Sequence, residues 1–159
     1  MTSTVTAATM TVKITETIKL NGRDQGAENT ISIASVNEVS KRIVTATTTE
    51  QIILAFGTAL AAGQFDETKV VYIRITNLDD TNHVCLIFRN ENGDEFSVKL
   101  DKGQSFIYNG DLATGVVDTM DALTGGGAGV TPNTFGDLVD ITADADTASC
   151  DLELFVSSI

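Results

Sequence analysis

The chain contains one histidine, His83, and two cysteines, Cys85 and Cys150, so nucleophilic chemistry has few residues to draw on. A Ser-His-Asp relay needs an imidazole to take the serine proton, and His83 is the one base of that type. It follows the polar stretch Asp79-Asp80-Thr81-Asn82 and opens an apolar run, where a hydrogen-bonding turn histidine is the expectation. Gly103-Gln104-Ser105-Phe106-Ile107 lacks the second glycine of a G-x-S-x-G elbow and follows a turn instead of leading into a helix. We read it as a turn. Gly125-Gly126-Gly127-Ala128-Gly129 invites a phosphate-loop reading, but no Gly-Lys-Ser/Thr ending follows, nor an amphipathic helix whose dipole would reinforce its amides. It reads as a connecting loop.

Cys85 and Cys150 each fall inside a strand-like run and are expected as small buried hydrophobes. A disulfide needs Cα atoms within roughly 7 Å, which sequence spacing leaves open. Two thiols and one imidazole fall short of a four-ligand zinc site unless carboxylates join them. Asp137, Asp140, Asp144 and Asp146 are the carboxylates closest to a calcium pattern. Calcium takes about six to eight oxygens, and no D-x-[DN]-x-[DN]-G loop is present. Paired acids are the minimum for glycoside hydrolysis, yet a chain with no Trp and two Tyr has few platforms for stacking sugars. The expectation is therefore no catalytic residue, no metal and no cofactor.

The elements that would position any site are strands. Val12, Ile14, Ile18 and Leu20 share one parity, while Thr11, Lys13, Thr15, Thr17 and Lys19 take the other, with Glu16 out of step. Such alternation marks a strand with one covered face. Asn21-Gly22 is a hairpin turn signal. Strands are expected again over 30–36 and 41–48, and Glu50 to Phe56 reads as a buried strand or one helical turn. Residues 57–63 hold the one plausible helix, a short one. Runs at 69–78, 83–89, 96–100 and 105–108 are separated by turn clusters, giving three successive hairpin-like units and a sandwich or barrel. The glycine-rich stretch 110–136 is expected as a loop, with a brief pairing over 116–120. Strands at 138–142 and 150–159 end the chain, the last expected beside the N-terminal strand.

Composition agrees. β-Branched residues are frequent and fit a pleated sheet better than a helix. The net charge of -12 opposes contact with nucleic acid and with anionic membranes. No targeting signal is evident at the start, and no run nears the ~20 apolar residues of a membrane-spanning helix. Residues 1–10, small and aperiodic, are expected as a flexible arm or as an extension ahead of a start at Met10. Residues 11–159 are expected as a single β-sandwich domain.

The segment from Val70 to Gly110, with its Tyr72-Ile-Arg-Ile-Thr-Asn77 phrase and the later Leu100-Asp-Lys-Gly-Gln-Ser-Phe106, resembles small virion proteins of tailed bacteriophages. The opening from Met10 to Gly22 and the closing from Asp140 to Ser158 are similar to structural proteins of phages of marine cyanobacteria. The resemblance implies an all-β, jelly-roll-like antiparallel sandwich of about eight to ten strands, often trimeric, on a capsid or tail. It carries no catalytic residues.

The expected function is therefore non-enzymatic: a capsid decoration, or cement, protein of a phage virion. Its expected partners are copies of itself, a trimer favoured, together with the major capsid protein or other virion proteins. Phe56, Phe65, Tyr72 and Phe135 are the candidate interface anchors, since large rings supply much contact area. The alternative expectation is a host-recognition or glycan-binding module at a fibre or tail tip, with 110–136 as its binding loop.

Overall fold

The computed structural model describes residues 4–58, 61–110 and 137–159, and every regular element among them is a β-strand. The chain forms two compact units, Met1–Glu38 with Ile159, and Val39–Ser158.

The first unit is a two-stranded ribbon. β1 (Ala8–Glu16) pairs antiparallel with β4 (Ala27–Val36), setting Met10 opposite Ile33 and Val12 opposite Ile31. The period of two thus places Met10, Val12, Ile14, Ile31 and Ile33 on one half-buried face. β1 begins at Ala8, inside the stretch expected as an arm. Between its strands lies a small hairpin, β2 (Lys19–Leu20) and β3 (Arg23–Asp24). Asn21 and Gly22 turn it with φ of 50° and 76°, the left-handed pair that a two-residue turn requires. Glu16, the residue out of step, is where β1 stops. Just ahead of β4, a Cβ at Gly26 would collide with the Glu16 carbonyl oxygen, so glycine is what lets the chain pass this close to β1.

The second unit is a sandwich. One sheet has the order β11-β8-β13-β5, built from β5 (Glu38–Ala46), β8 (Val70–Asn77), β11 (Ser105–Tyr108) and β13 (Cys150–Ser158). The other has the order β10-β9-β12-β6-β7, from β6 (Gln51–Phe56), β7 (Gln64–Phe65), β9 (Val84–Asn90), β10 (Glu95–Leu100) and β12 (Leu138–Ala145). The two orders run in step. Each consecutive pair, β5 with β6, β8 with β9, β10 with β11 and β12 with β13, has one member in each sheet at the same rank. That is jelly-roll wiring, and the fold is an all-β antiparallel sandwich, as the sequence led us to expect. Thirteen strands stand among the described residues, more than the eight to ten expected. The excess is β2, β3 and β7, two residues each and too short to leave a period in the sequence.

Three details depart from the sequence reading. β13 lies between β8 and β5, not beside the N-terminal strand. Cys150, Leu152, Leu154 and Val156 are all buried, and a strand that apolar gains most from an interior position, while β1 meets its hydrogen bonds locally with β4. Of the three expected hairpins only β9–β10 pairs directly; the turns at 78–83 and 101–104 carry the chain from one sheet to the other. Residues 51–56 resolve as strand. Of the expected short helix, Gly57, Thr58 and Ala61–Gly63 are non-helical and residues 59–60 lie outside the described residues, as do residues 111–136 of the expected loop 110–136 and the pairing expected at 116–120.

The core joins both sheets. Ile73, Ile75, Leu152, Leu154 and Val156 meet Leu54, Phe56, Leu86, Phe88 and Ile141 in one cluster. Each such side chain is stabilised by about 1.5–3 kcal/mol on leaving water. Phe88 and its cross-strand partner Phe96 stack at 4.5 Å between centroids, and Phe106 from the opposite sheet tilts onto Phe88 at 4.8 Å. At the sandwich edge, the Arg42 Nη2 donates to the Ile53 carbonyl across the two sheets at 2.9 Å.

Candidate functional site

The residues with chemical potential are spread over the sandwich, and their surroundings define what each can do. The imidazole of His83 has Nδ1 3.5 Å from Asp146 Oδ2 at the head of β9. Cys150 lies nearby, but its Sγ points at the backbone carbonyls of His83 and Ala148, at 3.8 and 3.6 Å. Burial raises the Cys150 thiol pKa, and Asp79, Asp146 and Asp151 raise it further, so the thiol is neutral at pH 7. Cys85 is half-buried on the outer face of β9; both thiols are free.

The four aspartates with a calcium-like spacing do not converge. Asp140 engages Arg89, Asp146 faces His83, and Asp144 sits opposite Cys85 in the β12–β9 register. The Asp137 carbonyl accepts from the Glu91 amide at 3.0 Å. Among the described residues no cluster of three or more His, Cys, Asp or Glu side chains forms a metal cage.

What the residues do build is two patterned outer faces. On the five-stranded sheet, Arg89 binds Glu95 through Nε at 2.6 Å, Asp140 through Nη1 at 3.3 Å and Glu50 through Nη2 at 3.2 Å. The Thr142 hydroxyl donates to the same Glu50 carboxylate at 2.8 Å. Burial pushes the Asp140 carboxyl up, and the Arg89 guanidinium opposes that rise. On the four-stranded sheet, Glu153 accepts from Lys41 at 2.9 Å and Arg74 at 2.6 Å, which holds its carboxyl below the usual range. Arg74 also lies over the Phe155 ring at 5.9 Å, and Phe155 meets Tyr72 edge-on at 5.9 Å. These groups alternate with core residues along the same strands, so the period of two that buries Ile73 and Ile75 also orders the outer faces.

The aromatic candidates fall in different places. Phe56 is a core residue, 6.3 Å from Phe65, which is half-buried against the same core. Tyr72 points outward from β8 yet is only 4% exposed, and burial raises its phenol pKa. Phe135 lies outside the described residues. The exposed large apolar side chains among the described residues are others: Val39 and Ile43 on edge strand β5, Ile52 on β6, Val139 on β12, Ile18 and Leu20 at the ribbon hairpin, Leu78, and Val5 and Ile159 near the ends. Sequence reasoning put Ile18 and Leu20 on the covered face with Val12 and Ile14. The signal against it was the Asn21-Gly22 turn, which makes this stretch a separate short hairpin and not a continuation of β1. Ile43 was legible too, since it has the opposite parity to Val44 and Ala46.

No protein-family model matches the chain, and no curated protein matches it. Among solved structures, the chain is similar to one from Bacillus endospore appendages, described as a family of disulfide-linked pili. The TM-score is 0.42 and the identity 10%, over 99% of this chain and 96% of that one.

Proposed function

We propose that the chain is a non-enzymatic structural protein of a phage virion, a capsid decoration protein that stabilises the shell through protein-protein contacts. The observation that carries this reading is the placement of Val39 and Ile43. They are 54% and 61% exposed on the outer face of edge strand β5, at i and i+4, beside the Lys41–Glu153–Arg74 ion pairs. Two exposed apolar side chains on one strand face, with the ion-paired Lys41 between them, offer a neighbouring protein both apolar area and charged partners. Edge strands also offer unpaired backbone groups to a neighbour. Repetition over a shell turns modest contacts into firm attachment.

The test is quantitative mass spectrometry of purified particles. The reading expects a fixed stoichiometric copy number per particle. It further expects Val39→Asp with Ile43→Asp to fold normally yet leave particles depleted of the protein. Particles that lack the wild-type protein altogether would refute it.

A further inference from the structure

We infer that the hairpin tip from Ile18 to Arg23 of one copy docks into an acidic recess of a second copy, the recess lined by Leu78, Asp79, Asp80, Ser149 and Asp151. This inference rests on the reading above that the chain works by surface association, and it names the surface and the partner. The tip is built to be presented. Asn21 and Gly22 fix its turn, and the Gln25 amide donates to the Ile18 carbonyl at 2.9 Å, closing its base. Asp24 is turned back to accept from the Gly26 amide at 2.9 Å. What remains outward is Ile18 at 46% and Leu20 at 56% exposure, with Lys19 and Arg23, neither of which makes an ion pair among the described residues. A rigid tip carrying two exposed apolar side chains and two uncompensated cations loses little entropy on binding.

The recess has the opposite character. Leu78 is 48% exposed at its rim, and three aspartates surround it. Asp79 Oδ1 accepts from the Thr81 and Asn82 amides at 2.7 and 2.6 Å, Asp80 accepts from the Thr81 hydroxyl at 2.8 Å, and Asp151 from that of Thr45 at 2.7 Å. These bonds fix the carboxylates in place, and those amide bonds, with Lys102 nearby as a minor contributor, hold Asp79 ionised. The wider charge distribution points the same way. Residues 1–38 carry three basic and four acidic residues, a net -1, which leaves -11 of the chain's -12 on the rest. Two such bodies repel, and the near-neutral ribbon with its cationic tip is the part that can approach another copy. Leu20 and Ile18 would meet Leu78 while Lys19 and Arg23 meet the aspartates. Because tip and recess are different surfaces, the contact is either made reciprocally in a two-fold dimer or repeated head-to-tail into a ring or a row.

The experiment is sedimentation velocity on the full chain over a range of concentrations, with circular dichroism to confirm the sheet signal of each variant. Concentration-dependent association that weakens at high salt is expected for the wild type. Lys19→Glu with Arg23→Glu is expected to raise the apparent dissociation constant at least about tenfold, as is Asp80→Lys with Asp151→Lys. Leu20→Ser, at an exposed position that the fold does not need, is expected to weaken association without reversing charge. An equimolar mixture of the two charge-reversed proteins restores the complementarity and is expected to associate again. A wild type that stays monomeric, tip variants that associate unchanged, or a mixture that fails to reassociate would overturn the inference. None of these results depends on copy number in particles, so this contact and the proposed function fail separately.

Discussion

Asn77 donates its side-chain amide to the carbonyls of both Asn82 and Leu100, at 3.0 and 3.2 Å, from a fully buried position at the end of β8. Its Oδ1 accepts from the Asp79 amide at 2.9 Å. One side chain therefore ties together the two connections, 78–83 and 101–104, that carry the chain between sheets. Asn90 plays a related part at the β9–β10 turn, where its Oδ1 accepts from the amides of Asn92 and Asp94.

Replacing Asn77 by Ala leaves the buried Leu100 carbonyl and the half-buried Asn82 carbonyl short of a donor and loosens both connections. We expect a loss of about 2–3 kcal/mol in urea unfolding, with the slope unchanged. A shift under about 0.5 kcal/mol would mean that the backbone bonds from Asn77 to Gln104 and from Gly103 to Asn77 hold the corner alone.

Leu154 faces Ile75 in the register of β13 with β8, and both are buried. Leu154→Ala is expected to cost about 2–5 kcal/mol, through lost transfer energy and the cavity left behind. Ile43→Ala, at an exposed site, is expected to change stability by no more than about 0.5 kcal/mol. Thermal unfolding of the two variants side by side checks the contrast between core and surface.

Acid should weaken the fold through Glu153. Its carboxyl is held below the ordinary value of 4.5, chiefly by the hydrogen bonds from Lys41 and Arg74. A depressed carboxylate stabilises the fold fully above its unfolded pKa, and that contribution is lost as pH falls through the lower folded value. Glu153→Gln should therefore be less stable than wild type at pH 7, and the gap should narrow as pH falls below the ordinary carboxyl value. Urea midpoints measured across pH decide it; a gap that stays constant would remove Glu153 from the acid response. Asp140 works in the opposite sense, because burial raises its folded pKa and its protonation favours the fold as pH falls through that value.

The two cysteines should separate by reactivity. Cys85 is half-buried and Cys150 fully buried with a raised thiol pKa. A disulfide-exchange reagent at pH 8 is expected to modify Cys85 in the native protein and Cys150 only after denaturation. Equal rates for both thiols would contradict the buried position of Cys150.

The strand runs were legible because period-two alternation is a local property. Ser105 to Tyr108 came out at its observed bounds, and the runs that became β8, β9 and β13 within a residue or so. Strand partners were not legible in the same way. Asn90-Glu91-Asn92-Gly93-Asp94 and Asp101-Lys102-Gly103 both read as tight turns, yet the first closes a hairpin and the second crosses between sheets. At the second, Asn77, a residue distant in sequence, captures the Leu100 carbonyl. The outer-face networks were hidden for a like reason: Arg89 gathers Asp140 from β12 and Glu50 from the turn just ahead of β6, and nothing in the spacing announces it.

The position of β13 sets a demand on the newborn chain. β5 ends at Ala46 and its neighbour begins at Cys150, roughly 100 residues later. At a synthesis rate of about 5–20 residues per second, β5 waits on the order of 5–20 s for its partner to be made. During that interval Val39, Ile43 and Val44 sit on a strand whose native neighbour does not yet exist. Lys41 and Arg42 interrupt that apolar run, and charges so placed keep an unfinished strand from joining the wrong chain on a crowded polysome.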